Sequence, residues 1–354
     1  MTRFVKWLPA IVAPVVVAGV VAAPAFAGQA SGVRTTPSAA SVLALVAKAK
    51  DAHYSGTLQQ TSDLGLPDLP SSMSTGSGGQ TTSILELLTA PHSARVYVDG
   101  PNKQRLQVLD SLAERDVIRN GRQVWSWNSK NDTAVHVTLP TMREAQASAP
   151  SATPQSVADQ LIARAGEDTR FRVSQGAVAG RSVWTLTATP KTSGTLVSKA
   201  VVSVDEQTGV PLAAELDARG QQKAAVSIAF TTIDFGMPQA SNFSFTPPAG
   251  ARVKDKTPPA HAESPDHQSP GSFEGPTVTG SGWSSVVEVP ASAQNGGSGL
   301  SGLTGSQSKL LDELTQHVAG GRGLQTSLFS VLIKDDGTVY AGAVPLSALE
   351  SAAG

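Results

Sequence analysis

Few residues in this chain are of a type and spacing that could do chemistry, and each also has a plain structural duty. The run Gly297-Ser298-Gly299-Leu300-Ser301-Gly302 matches a dinucleotide-binding pattern, in which glycines let backbone N–H groups approach a pyrophosphate at a helix N-terminus. Here the run lies in a Gly/Ser-rich loop with no second strand–helix unit after it, so no cofactor cradle is expected. His261 and His267 stand near Glu263 and Asp266, donor types that suit a metal. They fall in a proline-rich stretch, which does not hold ligands at fixed geometry, so no metal site is expected. Asp205-Glu206 and Asp335-Asp336 are paired carboxylates. Acid–base work needs such a pair in a cleft that perturbs its pKa values, and a turn glycine follows each pair here. G-x-S-x-G, H-E-x-x-H and P-loop signatures are all missing. The expectation is a protein that is not an enzyme, with no catalytic residue and no cofactor. A cleft built from dispersed residues would revive a hydrolase reading.

The richer signal is apolar. Between Ser83 and Pro140 the segments ILELLT, ARVYVDG, QRLQVLD, RDVIRNGRQVWSWN and TAVHVTLP place apolar side chains at alternate positions, the period of a half-buried strand. Asn120-Gly121 suits a type I′ hairpin turn. Trp125 and Trp127 lie two residues apart and so share a face. They read either as core under a helix or as the wall of an apolar pocket for acyl chains or hydrophobic peptide. Trp125, Trp127, Val96, Val98, Leu106, Val108, Val135 and Val137 are the candidate lining. Alternation sets each group on one face without saying which face is concave. His136 alternates with Val135 and Val137 and is expected exposed on the polar side.

The elements that must position this surface are mostly strands. Thr36-Pro37 marks a helix start, and Ser38–His53 continues with Val42, Leu45, Val46 and Ala49 at helical spacing. Tyr54–Gln60 is a first strand, and a Gly/Ser/Pro-rich loop, Ser62–Gly79, precedes the meander. Thr153-Pro154 opens a second helix to Ala165. Strands resume at RFRVSQ, SVWTLTAT, LVSKAVVSVD, PLAAELDA and KAAVSIAFTTIDF, separated by turn residues. The fold class expected is α+β: a curved antiparallel half-barrel sheet of about eleven strands wrapping helices, plus a small C-terminal α+β domain. Lys254–Thr277 is charged and proline-rich and reads as a linker. Residues 278–354 then offer a strand in WSSVVEVP, a helix in SKLLDELTQHV, a hairpin turning at Asp336-Gly337 and a closing helix in LSALESAA.

Composition bounds the setting. The chain has 354 residues, 27 Lys and Arg, 28 Asp and Glu, and no cysteine. Arg3 and Lys6, the apolar stretch Leu8–Ala23 and Ala25-Phe26-Ala27 spell a secretory signal peptide over residues 1–27, cut near Ala27. Its apolar run is short for a membrane span. Without it the net charge is about −3, with no basic block to pair with phosphates, so nucleic acid is not an expected partner. Without cysteine, stability must come from burial and hydrogen bonding, and the location expected is extracytoplasmic.

The N-terminal helix, the YSGTL strand, the VWSWN meander, VVSVDEQTGVPL (Val201–Leu212) and the closing FSFTPPAGARV (Phe243–Val253) resemble the LolA/LolB/RseB-type lipoprotein-carrier superfamily. The likeness covers residues 36–253. It implies an open, curved antiparallel sheet whose concave apolar face takes lipid acyl chains. A small unit at 278–354 is similar in layout to RseB/MucB-type regulators of an extracytoplasmic sigma factor. The resemblance thus implies a lipid or lipoprotein acyl chain as ligand, and, in the alternative reading, a membrane-anchored anti-sigma factor as partner.

Overall fold

The computed structural model describes residues 36–66, 91–109, 114–139, 168–256, 276–291 and 314–354. The expected signal peptide, most of the expected Ser62–Gly79 loop, the strand expected at ILELLT, the helix expected at 154–165, the glycine run at 297–302 and the two histidines of the expected linker lie outside them.

The first helix, α1, spans Ala39–Lys48 and continues as a 3-10 turn, Ala49–Asp51. Its cap is Ser38, whose hydroxyl accepts from the Ser41 N–H at 3.1 Å, in place of the expected Thr36. Eleven strands follow: β1 (His53–Ser62), β2 (His92–Asp99), β3 (Lys103–Leu109), β4 (Glu114–Asn120), β5 (Gln123–Asn128), β6 (Thr133–Thr138), β7 (Thr169–Val178), β8 (Arg181–Pro190), β9 (Val197–Asp205), β10 (Pro211–Ala218) and β11 (Ala224–Asp234). A twelfth, β12 (Arg252–Lys256), occupies the start of the expected linker. Together they form one open sheet in the order β12-β6-β5-β4-β3-β2-β1-β11-β10-β9-β8-β7. Neighbours are antiparallel except β12, which runs parallel to β6. With β12 and β7 as edges the sheet is not closed into a barrel. It curls strongly at one end: Val178 and Ala179 of the β7–β8 hairpin join Ile233 of β11 and Phe235 just beyond it in one apolar cluster.

One turn departs from the motif that announced it. Asn120 pairs with Gln123, so the β4–β5 loop is Gly121-Arg122, and Gly121 alone has positive φ, at 59°. That is the glycine position of a type II′ turn; type I′ would put two residues in that region. The β7–β8 hairpin holds the true pair, Ala179 at 49° and Gly180 at 75°. In the VDEQTGVPL stretch, Asp205 is buried and accepts from the N–H groups of Gln207 and Thr208 at 3.1 and 2.8 Å. It also takes the Arg181 Nε–H at 2.8 Å. Burial pushes its carboxyl up, but these donors outweigh it and hold the pKa below the usual carboxylate value. Gly209 closes the turn at φ 75°, and a Cβ there would meet the Leu45 carbonyl oxygen at 2.3 Å. The motif is therefore a seat for α1, and its carboxylate pair serves the turn.

A second sheet of six strands contains β13 (Thr277–Thr279), β14 (Val286–Val289), β15 (Gln316–Val318), β16 (Gly321–Gln325), β17 (Ser330–Lys334) and β18 (Val339–Gly342), in the order β13-β14-β18-β17-β16-β15. Gln316–Val318 pairs with β16, so the end of the expected SKLLDELTQHV helix is a strand. The expected hairpin and closing helix are present, the latter as α2 (Leu346–Ala353) packed on β17. The two sheets share a core. Leu328, Trp283 and Phe329 pack with Leu64, Val197, Leu216 and Ala225. The Ala343 carbonyl accepts both the Leu196 N–H at 2.8 Å and the Thr195 hydroxyl at 2.7 Å.

Candidate ligand-binding face

Paired residues on neighbouring strands share a sheet face, so the register settles where each candidate side chain points. One row of partners runs Gly56–Val96–Leu106–Val117–Ser126–Val135 across β1 to β6. The rows on either side of it carry Val98 and Val137, and Ala94 and Val108. Six of the eight candidates, Val96, Val98, Leu106, Val108, Val135 and Val137, therefore lie on one face.

Trp125 and Trp127 lie on the other. Trp125 pairs with Ile118 and His136, and Trp127 with Asp116 and Ala134. An even spacing from Val135 to Val137 and from Trp125 to Trp127 is compatible with either arrangement. Only the offset between β5 and β6 decides it, and that offset sets Trp125 across from His136, an even position. The eight candidates thus form two surfaces separated by the backbone.

What covers each surface follows from topology. β11 sits in the middle of the sheet and β12 at its edge, so the intervening residues 235–251 must cross one face. They cross the tryptophan side as a strap. A 3-10 turn at Ala240–Phe243 lies against β3 and β4. Phe243 is 2% exposed, and the Phe245 ring stands 5.4 Å from Trp125 and 6.1 Å from Trp127. Trp127 is left 7% exposed, and Ile118 is buried. The FSFTPPAGARV motif is the strap itself. His136, expected exposed on a polar side, stacks on Trp125 at 4.2 Å and bonds Asp255 and Gln123.

The opposite face receives α1, but only at the far end. Val42 of α1 packs with Leu186 and Val204, and with Phe171, Val173, Trp184 and Val202 around them, on β7 to β9. The register carries the same face along Val173–Leu186–Val202–Ala214–Ile228–Gln60–His92 to β2. Among the described residues, the cluster of Tyr54, Leu58, Val96 and Phe230 over β1 and β2 ends the covered region, with Ala49 and Ala52 at the helix end against it. Burial raises the Tyr54 pKa. Beyond it Leu106 is 39% and Val117 48% exposed, adjacent to each other. Val117 was not singled out from the sequence because arginines flank it on β4. The signal that finds it is its pairing with Leu106.

Among the described residues the polar groups with shifted pKa values serve the strap and the turns. On the strap face Asp116 is 1% exposed and is ion-paired with Arg105, which also approaches Glu114 at 3.7 Å and donates to the Asn242 carbonyl at 3.4 Å. Burial pushes the Asp116 carboxyl up to about 6, against the opposing pull of the Arg105 guanidinium. Arg105 thus ties the strap to β4. Asp336 bonds the Thr338 N–H at 2.8 Å within the β17–β18 turn, and these bonds to Thr338 lower its pKa. Among the described residues no group of three His, Asp or Glu side chains is placed to hold a metal. No helix among them is long and apolar enough to cross a membrane.

No family model matches the sequence, and no curated protein matches it. Among solved structures, the chain is similar to MucB in complex with MucA(peri), at 17% identity over 88% of this chain and 96% of that one, with a TM-score of 0.45. The MucA/MucB complex of Pseudomonas aeruginosa gives 15% identity, the same coverage of 88% and 96%, and a TM-score of 0.45. A LolA superfamily protein from Nitrosomonas europaea is 11% identical over 60% of this chain and 99% of that one, with a TM-score of 0.24. The similar structures thus include proteins of the two groups that the sequence motifs resemble. At these identities and TM-scores the likeness carries no argument about function.

Proposed function

We propose that the protein is an exported, non-enzymatic binding protein that lays an acyl chain of a lipid or lipoprotein along the α1-bearing face of β2 to β6. The observation that carries this reading is the row Val96–Leu106–Val117–Val135, apolar on four of five strands and exposed at its centre. At about 4.8 Å between strands the row spans roughly 19 Å. Burying about a dozen methylenes there, at about 0.8 kcal/mol each, would give roughly 10 kcal/mol before the cost of ordering the chain. Val98, Val108 and Val137 widen the trough. Trp125 and Trp127 support it from behind, through their packing under the strap. The signal-peptide pattern of residues 1–27 supports an extracytoplasmic setting.

The test is lipid extraction and native mass spectrometry of the purified mature protein, with titration of a fluorescent acyl probe. Bound lipid, displaced by the probe and lost in Leu106→Asp and Val117→Asp, is the expected result. A protein that carries no lipid and binds no acyl probe would end the proposal.

A regulator reading draws on one further observation, the shared core that fastens the second sheet to the first. A carrier needs only the large sheet, whereas a fixed second unit offers a composite surface to a membrane-anchored partner such as an anti-sigma factor. Crosslinking of the full chain in its own envelope discriminates the two. Recovery of no anchored regulator, with lipid still bound, would leave the carrier reading alone.

A further inference from the structure

Charge on the strands around the trough is sorted by face. The four carboxylates of β2 to β6 and β12, Asp99, Glu114, Asp116 and Asp255, all project from the strap face. There they meet cations: Lys103 reaches Asp99 at 3.0 Å, which lowers the Asp99 pKa, and Arg105 serves Asp116 and Glu114. The trough face of the same six strands carries no carboxylate. It carries Arg115 and Arg119, on either side of Val117, and Arg252, Lys254 and Lys256, with Lys254 beside Val135 at the end of the apolar row.

Lysines on an edge strand such as β12 serve in general to discourage pairing with other chains. That duty does not account for Arg119, which stands on β4 with paired strands on both sides. Arg119 spends its donors on the Gly121 carbonyl at 3.1 Å and the Asn102 side chain at 3.1 Å, neither of them charged. Arg252 donates to the Asn131 carbonyl. Neither these two nor Lys254 or Lys256 forms an ion pair with a described residue. Five cations bordering an apolar row, with every carboxylate of these strands on the far side, complement a ligand with an apolar chain and an anionic head.

We infer that the ligand is a single anionic amphiphile, a lipid whose acyl chain lies on Val96, Leu106, Val117 and Val135 and whose phosphate-bearing headgroup sits by Lys254 at the β12 edge. This rests on the acyl-binding reading and narrows it. Charge-assisted contacts at a partly desolvated rim strengthen and orient binding, while exposure makes them sensitive to salt.

The test compares two palmitoyl lysolipids with the same chain, lysophosphatidylglycerol and lysophosphatidylcholine, below their micelle concentrations, by titration against the mature full-length protein. The anionic lipid should bind at least tenfold more tightly at low salt, with the gap narrowing as salt rises. Lys254→Glu with Lys256→Glu, both on an exposed edge, should weaken lysophosphatidylglycerol at least tenfold more than lysophosphatidylcholine and so erase the preference. The charge-neutral pair Lys254→Gln and Lys256→Gln should fall between. Glycerol phosphate, which lacks the chain, should not compete. Equal affinity for the two lipids would overturn the headgroup inference and leave the acyl-binding proposal standing. Binding of neither would remove both. Binding only to anionic vesicles, and not to the monomeric lipid, would overturn the single-molecule site.

Discussion

Val117 lies directly across from Leu106 on adjacent antiparallel strands, and both are left substantially exposed in the middle of a sheet whose other face is buried under a strap. A cross-strand pair of this kind is ordinarily covered or polar. Because exposed side chains contribute little to folding, Val117→Asp and Leu106→Asp should each change stability by less than about 1 kcal/mol. Acyl-probe affinity should fall at least tenfold in each. Denaturant titration beside probe titration checks both halves; unfolding of the variants would show that the pair is core.

The strap gives a second expectation. Phe243 is almost wholly buried, and Phe243→Ala should cost about 3–5 kcal/mol. Phe245→Ala should cost less and uncover the indole of Trp125, shifting tryptophan emission to the red. An unchanged emission maximum in Phe245→Ala would count against the strap as the cover of that face.

A pH dependence follows from Asp116. Its carboxyl is raised from an ordinary value near 3.8 to about 6 by burial, so the folded state holds a proton that the unfolded state releases earlier. Between about pH 4 and pH 6 the native protein binds more protons, and stability from this group falls as pH rises through that window. Asp116→Asn removes the titration. The difference in unfolding free energy between wild type and variant should therefore move in the variant's favour from pH 4 to pH 6.5. A flat difference would place the carboxyl in its ordinary range.

Hairpin geometry gives an expectation of opposite sign. Ala179 holds φ 49°, a conformation that costs an alanine roughly 1 kcal/mol or more and suits asparagine or glycine. Ala179→Gly, or Ala179→Asn, should raise the melting temperature. Gly209→Ala, with its Cβ forced onto the Leu45 carbonyl, should lower it and loosen α1.

The shared core between the sheets predicts coupled unfolding. Leu328 is buried among residues of the large sheet, and Leu328→Ala should cost about 2–5 kcal/mol. Calorimetry should show one cooperative transition in the wild-type chain. Two separated transitions in wild type would mean that the interface is weaker than its packing.

Local chemistry fixed much of this in advance. Period-two alternation marked strands such as β2 to β6 and β8 to β11, because a half-buried strand must alternate whatever its partners. Thr36-Pro37 placed the start of α1 within two residues of its cap, Ser38, and Asp-Gly placed the β17–β18 turn. The carboxylate pairs read as turns are turns, since Asp205 and Asp336 find their donors within a few residues.

Relations between distant segments were another matter. The tryptophans and the valines obey the same alternation, and nothing local records that their faces are opposite; the pairing offset between β5 and β6 does. Nor does FSFTPPAGARV reveal by itself that it crosses beneath the sheet. That follows from β11 lying at the centre and β12 at the edge, a placement set by long-range pairing energies. The sequence by itself determined most of the strands, several turns and an apolar surface in search of a cover. Only the tertiary structure decided which half of that surface became core and which was left open, because a strand's two faces are equivalent until the rest of the chain covers one of them.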